Sequence, residues 1–238
     1  MIIGRGLLAN ALKKIDKDNY LFYANGISNS VLENISKNNF EIKEIEDIAK
    51  RNEKKTFIYF STSQVNAPQN HHRAYVKHKI FVEELIKKSF SNYLIVRTTN
   101  LVGNNPWNTH TLFNYLFHAI TVNKEITVNP VLIRNFLDAD HFSTLLKKYL
   151  RDYTGNKVIE IINPVSFTMG DIVEQFEKTF LKKFCLNAVT ETTDFAVFEL
   201  NDQLSRTLFE NCNISTQDYI PRLLKKYYLP LPVEKLNY

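Results

Sequence analysis

Residues 56–79 read TFIYFSTSQVNAPQNHHRAYVKHK, and the order of residue types in that stretch decides the fold. Thr56-Phe57-Ile58-Tyr59-Phe60 is a short β-branched and aromatic run, which predicts a buried parallel strand. Hydroxyls crowd its C-terminal end at Ser61, Thr62 and Ser63. In an open α/β sheet the carboxyl ends of the strands are where ligands sit. Tyr75 and Lys79 follow four positions apart, so a helix places them on one face. Ile80, Phe81, Leu85 and Ile86 form that helix's apolar side. An ammonium beside a phenol stabilises the phenolate, which predicts a Tyr75 pulled toward neutrality. Such a phenol can pass a proton to or from a substrate oxygen during hydride transfer, and a nearby hydroxyl can hold that oxygen. A Tyr-x-x-x-Lys pair by itself is equally a solvated helix face. Its position directly after this strand gives it weight.

Toward the N-terminus, Ile2-Ile3 precedes Gly4-Arg5-Gly6-Leu7-Leu8-Ala9, a minimal strand, a glycine turn and a helix start running to about Ile15. Gly4 permits a tight turn, Gly6 lets the backbone approach a pyrophosphate, and Ala9 keeps helix and strand close. The free N–H groups of the helix start would face that anion. Residues 20–24 are a second strand, ending in a polar turn at 25–30. Ile42, Ile45, Ile48 and Ala49 mark a helix over 41–52. Downstream, Tyr93-Leu94-Ile95-Val96-Arg97 is another buried strand. Strands alternating with helices predict a parallel sheet with right-handed crossovers.

The second half changes character. Its pattern predicts helices at 111–120, after Asp140, at 171–182 with Thr168 as cap, and at 216–228; strands are expected at 125–128 and 158–162. We expect a core at 1–110 and a small α/β lobe at 111–238 interleaved with it. The 238 residues carry a formal charge of +5 spread along the chain, which suits anionic ligands such as nucleotides better than nucleic acid. No apolar run is long enough for a membrane span, and no secretion signal is visible. Cys185 and Cys212 lie far apart, which predicts free thiols in a cytoplasmic protein. His71-His72 has no partner pair at ligand spacing, so no metal site is expected.

Taken in order, these segments resemble the extended short-chain dehydrogenase/reductase superfamily, in its branch of nucleotide-sugar epimerases, dehydratases and reductases. GRGLLA (4–9) is similar to the glycine motif, and FYANGISNS (22–30) to the strand and turn beneath the cofactor. FIYFSTSQV (57–65) resembles the strand bearing the catalytic hydroxyl, at Thr62. AYVKHKIFVEELI (74–86) resembles the Tyr-x-x-x-Lys helix, LIVRTTNLVGNNPW (94–107) the Arg-x-x-Asn-x-x-Gly segment, and RNFLDADHF (134–142) the stretch near the substrate nucleotide. The resemblance implies a Rossmann-like doubly wound parallel sheet and an NAD(P)-dependent enzyme acting on a nucleotide-activated sugar, in surface polysaccharide biosynthesis. It implies Thr62, Tyr75 and Lys79 as the catalytic set. Gly4, Arg5, Gly6, Leu7, Leu8, Ala24, Asn25 and Gly26 would join Tyr75 and Lys79 around the cofactor. Ser63, Asn100 and Arg134 would contact substrate, and Trp107 would pack. Pairing through the Tyr/Lys helix and the helix before it would give a homodimer.

Two departures bear on function. Only residues 16–19 separate the glycine-motif helix from the next strand, where the family has a further strand, helix and strand. That βαβ segment carries the residue that grips the adenosine ribose. Its loss leaves NAD or NADP open; Arg5 in the glycine turn tilts the expectation toward NADP. Ser63-Gln64 replaces the Asp-Glu of the 4,6-dehydratases, and neither residue is an acid or base at neutral pH. Reduction or epimerisation needs only Thr62, Tyr75 and Lys79. The competing reading is a catalytically inactive relative that senses a dinucleotide or acts as a scaffold.

Overall fold

The computed structural model describes residues 1–27, 35–51, 54–104, 111–189 and 203–231. The chain runs β1 (Ile2–Ile3), α1 (Leu7–Leu12), β2 (Tyr20–Tyr23), α2 (Ile35–Arg51), β3 (Thr56–Thr62), α3 (Ala74–Ser89), β4 (Tyr93–Thr98), β5 (Asn100–Val102) and α4 (Leu112–Thr121). It continues through β6 (Ile126–Val128), β7 (Ile133–Arg134), β8 (Phe136–Asp138), α5 (Ala139–Tyr149), β9 (Lys157–Ile161), β10 (Phe167–Thr168) and α6 (Met169–Phe180). β11 (Leu186–Ala188), α7 (Gln203–Asn211) and α8 (Tyr219–Tyr227) complete it.

Five strands form one parallel sheet in the order β1-β2-β3-β4-β9. The side-chain alternation along these strands explains why both faces are covered. Tyr20, Phe22, Ile58, Phe60, Leu94 and Val96 point into one core, against α5 and the second half of the chain. Leu21, Tyr23, Phe57, Tyr59 and Ile95 point into the other, with Ile45 of α2 and Val82 and Ile86 of α3. Every residue of β2 is therefore buried, as the unbroken apolar run YLFY requires. The first core runs from Leu12 through Phe113, Phe142 and Phe176 to Tyr228, so residues beyond 110 share it with the sheet.

The strand order is that of one half of a dinucleotide fold. A complete fold reads 3-2-1-4-5-6, with the first strand central and the order reversing beside it. Here β1 is an edge, and no described strand lies outside it. The short connection over residues 16–19 leads from the turn after α1 directly into β2, so the βαβ segment expected to be missing is missing.

Helix ends follow local chemistry. Thr168 and Asp171 form a capping box at α6, each side chain taking up the other's free N–H. The helix expected over 41–52 begins earlier, at Ile35, with a first turn and a half that is largely polar. The one expected over 216–228 is shorter: Asp218 adopts φ 48°, and α8 starts after it. Pro221 is tolerated there because N–H groups in a first turn have no helical acceptor. Among the described residues no helix is long and apolar enough to cross a membrane. Cys185 and Cys212 are free. Trp107 lies outside the described residues.

Gly4 is the point on which the first turn depends. Its φ is +128°, and a Cβ there would meet the Ala24 carbonyl oxygen at 2.5 Å. A Cβ at Gly6 would meet nothing within 4 Å. Gly4→Ala should therefore cost about 2 kcal/mol or more in urea unfolding. Gly6→Ala should stay within about 1 kcal/mol of the parent protein.

Candidate functional site

The site is built where β3 hands over to α3. β3 carries Thr62 to the C-terminal end of the sheet, and α3 opens at Ala74, so Tyr75 lies in its first turn. Two short 3-10 turns, Ser63–Asn66 and Pro68–Asn70, span the gap. The Gln64 N–H donates to Thr62 Oγ1 at 3.3 Å. Arg73 Nη1 donates to Gln64 Oε1 at 3.0 Å, and His71 Nε2 donates to the Val65 carbonyl at 2.8 Å. These bonds hold the loop with the Thr62 hydroxyl near the half-buried Tyr75 phenol.

Lys79 lies one turn beyond Tyr75, its Nζ 5.9 Å from the centre of the Tyr75 ring. The three catalytic candidates thus converge. The ammonium, however, is buried and turned toward protein. Lys79 Nζ donates to the Tyr59 hydroxyl at 2.7 Å and to Glu41 Oε1 at 3.4 Å. The Tyr59 hydroxyl in turn donates to Glu41 Oε1 at 2.7 Å. Glu41 Oε2 accepts from the Ile27 N–H at 3.0 Å and from His78 Nε2 at 2.9 Å. Gly26 lies over the pair: a Cβ there would stand 3.0 Å from both Lys79 Nζ and Glu41 Oε1.

Burial alone would raise the Glu41 carboxyl, but the Lys79 charge and the bonds from His78, Ile27 and Tyr59 outweigh it and hold it at about 2. Burial pushes Lys79 down, and the charges of Glu41 and Glu83 oppose that. Tyr75 does not move toward neutrality, as the sequence pattern predicted. Burial pushes it up to about 12; the Thr62 hydroxyl and the Arg73 charge offset part of this, while Glu41 adds to it. The physical reason is burial of the phenol, which the Tyr-x-x-x-Lys spacing does not encode.

A second buried carboxylate braces the same joint. Glu83 sits a further turn along α3 and accepts from Ser61 Oγ at 2.6 Å. The Arg97 guanidinium clasps both of its oxygens, Nε–Oε1 at 3.1 Å and Nη2–Oε2 at 2.6 Å. Arg97 Nη1 also bonds Asn66 Oδ1 in the loop after Thr62. The acidic residue of the helix motif and the arginine of the segment on β4 are thus one structural unit.

The glycine turn matches its expected geometry. Gly4 lets the chain pass under Ala24, Gly6 opens onto free space, and Leu7 packs against Gly103, where a Cβ would meet Leu7 Cδ1 at 2.5 Å. Arg5 is exposed, Leu8 and Ala24 are half-buried, and Asn25 Nδ2 donates to Glu44 at 3.0 Å. The substrate candidates are scattered by comparison. Ser63 is buried. Asn100 Nδ2 donates to the Asn135 carbonyl at 3.2 Å, at the start of the parallel pairing of β5 with β8. Arg134 is half-buried and is held below its ordinary value by burial and by the Arg73 charge, which places it near the Tyr75 end of α3. No cluster of metal-ligating side chains occurs among the described residues.

No protein-family model matches the sequence, and no curated protein matches it. Solved structures match over most of the chain. The UDP-glucuronic acid 4-epimerase from Bacillus cereus, in complex with UDP-glucuronic acid and NAD, gives a TM-score of 0.67 at 16% identity, covering 93% of this chain and 76% of that one. The dTDP-glucose 4,6-dehydratase from Bacillus anthracis str. Ames, in complex with NAD, gives 0.65 at 14% identity, covering 92% and 74%. RMD from Pseudomonas aeruginosa, complexed with NADPH, gives 0.64 at 12% identity, covering 87% and 78%. At these identities the likeness is one of fold. The chain has the Rossmann-like fold of these epimerases and dehydratases in a shortened form.

Breaking the buried pair on one side strands a charge. Lys79→Met should lose about 3–5 kcal/mol in urea unfolding, and Glu41→Gln/Lys79→Met should recover most of it. Because Glu41 is held at about 2 against an ordinary 4.5, its contribution is complete above pH 4.5 and is lost as pH falls through about 2. Glu41→Gln should therefore flatten the acid limb of the stability profile across that window. An unchanged limb would mean that the pair contributes nothing there.

Proposed function

We propose that the chain is a nicotinamide-dinucleotide-dependent oxidoreductase or epimerase acting on a nucleotide-activated sugar, in surface polysaccharide biosynthesis. One observation carries this reading: Thr62 and Tyr75 come together at the carboxyl end of a central strand, with Lys79 one turn below, in a fold shared with nucleotide-sugar enzymes. Thr62 would hold the reacting sugar oxygen. Tyr75 would exchange a proton with it, and Lys79 would face the nicotinamide ribose.

The residues around the glycine turn fit a dinucleotide. Gly4 brings the chain tightly past Ala24, and the space above Gly6 is open. Gly4, Arg5, Gly6, Leu7 and Leu8 would line the pyrophosphate, while Ala24, Asn25 and Gly26 would pass beneath it. Bound there, a nicotinamide supplies or accepts hydride. The exposed guanidinium of Arg5 favours the extra phosphate of NADP. Arg134 and Arg73, close enough to interact, suit the anionic part of the substrate. Ser63 and Asn100 are the weaker substrate contacts, one buried and the other holding a backbone carbonyl. Pairing through α2 and α3 would use Phe40 and Phe81, both exposed on those helices.

Two observations favour a second reading, a relative that binds or scaffolds without turnover. The sheet stops at β1 among the described residues, and Lys79 is taken up by Glu41 and Tyr59. Titration with NADPH and NADH, followed by nicotinamide fluorescence, separates the two. The enzyme reading expects saturable binding of one of them. It also expects Tyr75→Phe to keep fold and binding while losing turnover of keto nucleotide-sugars by about a hundredfold or more. Binding of neither dinucleotide would favour the second reading, and full turnover in Tyr75→Phe would remove Tyr75 from the chemistry.

A further inference from the structure

A cavity of about 160 Å³ opens where the first turn of α5 meets α8, and its wall is Asp138, His141, Tyr219, Arg222, Leu223 and Lys226. None of these residues belongs to the β3–α3 joint or to the glycine turn. Leu223 and Tyr219, both buried, are its apolar part. The Arg222 guanidinium stands 5.5 Å from the centre of the Tyr219 ring and spends Nη2 on the Ser215 carbonyl. Its Nε and Nη1 take no bond among the described residues. Lys226 is held by Asp138 Oδ2 at 2.9 Å and Asp140 Oδ2 at 2.8 Å. Asp140 also takes up Lys14 at 2.7 Å, so Lys14, Arg222 and Lys226 stand against only two carboxylates. Buried Asp138 accepts from the Tyr227 hydroxyl as well, at 2.7 Å. The Tyr219 oxygen accepts from the Asp138 N–H at 3.0 Å and lies 2.9 Å from His141 Nδ1. That leaves the phenol hydrogen for Nδ1 and puts the imidazole hydrogen on Nε2, as a further donor beside Arg222.

We propose that this cavity is a second ligand site, one that takes a small, free organic monocarboxylate with an apolar body. The carboxylate lies across the open edge of the Arg222 guanidinium, whose planar fork matches two carboxylate oxygens. His141 Nε2 donates to the same group. The apolar body rests on Leu223 and the Tyr219 ring, out of water. The charge of the cluster sets the charge of the ligand: the cations exceed the carboxylates by one, and Asp138 and Asp140 repel a second negative charge. The size of the cavity sets the size of the body, because it is smaller than the pockets that enclose drug-sized ligands. The proposal goes beyond the function argued above and shares no residue with it.

The experiment is amide NMR of the full chain labelled with nitrogen-15 and titrated with benzoate, acetate and benzyl alcohol. Benzoate should shift the His141 and Leu223 amides to saturation. Acetate has the charge without the body, and benzyl alcohol the body without the charge. Each should bind about tenfold or more weakly than benzoate. Arg222→Gln should weaken benzoate by about tenfold or more. Lys225→Gln removes an exposed charge from the same helix outside the cavity wall, and it should bind benzoate as the parent protein does. Absence of saturation at those amides overturns the proposal. So does acetate or benzyl alcohol binding as well as benzoate, and so does Arg222→Gln binding benzoate no more weakly than Lys225→Gln. Should Arg222→Gln not fold, the three ligands on the parent protein decide. None of these probes is a dinucleotide or a nucleotide-sugar. Their failure leaves the proposed enzyme reading standing, whereas absence of dinucleotide binding removes that reading and leaves this cavity's ligand unaffected.

Discussion

The buried Glu41–Lys79 pair is the constraint around which the site is organised. Taking two charges out of water costs several kcal/mol for each ion, and only close geometry with additional hydrogen bonds offsets that. Here the offset comes from Tyr59, His78 and the Ile27 N–H, which together satisfy both carboxylate oxygens. The network therefore ties α2, α3, β3 and the chain after β2 to one another. The position of α3 sets where Tyr75 stands, and the end of β3 sets where Thr62 meets it. Glu83 and Arg97 do the same work one layer along, between α3, β3 and β4.

That arrangement also explains how a sheet reduced to one side of its first strand still presents a formed site. The groups proposed to handle the proton come from β3 and α3, and β3 is the middle strand of the sheet. The lost segment lies beyond β1, where the adenosine end of a dinucleotide would rest. What remains is the glycine turn, which needs only β1, α1 and the passage of Ala24 over Gly4. On the proposed function, reaction chemistry and adenosine grip would fall to different strands.

Much of this was legible in the chain. The runs YLFY, TFIYFST and YLIVRT could be read as doubly buried strands because their residues are apolar on both faces. Tyr75 and Lys79 stood out by their spacing after the hydroxyl-bearing strand, and the family resemblance singled out Thr62. The short strands β7, β8, β10 and β11 of the second half were not legible: two or three residues carry no periodicity, and each exists only because a partner is brought alongside. Helix α7 was missed although Leu204 and Leu208 stand one turn apart. Glu41 was the consequential omission. It shares a helical stripe with Ile45 and Ile48, so a charge was falling on a core position, and such a charge calls for a buried partner. Burial, with the Glu41 charge added to it, reversed the expected shift of Tyr75, and neither that burial nor the pairing between α2 and α3 is encoded in a local motif.

The most direct test of the account is a crystal structure of the protein grown with NADPH. The account predicts the pyrophosphate against Gly6 and the nicotinamide face turned toward Thr62 and Tyr75, with Lys79 still held by Glu41 and Tyr59. A dinucleotide bound elsewhere, or a glycine turn that stays empty at saturating ligand, would contradict it.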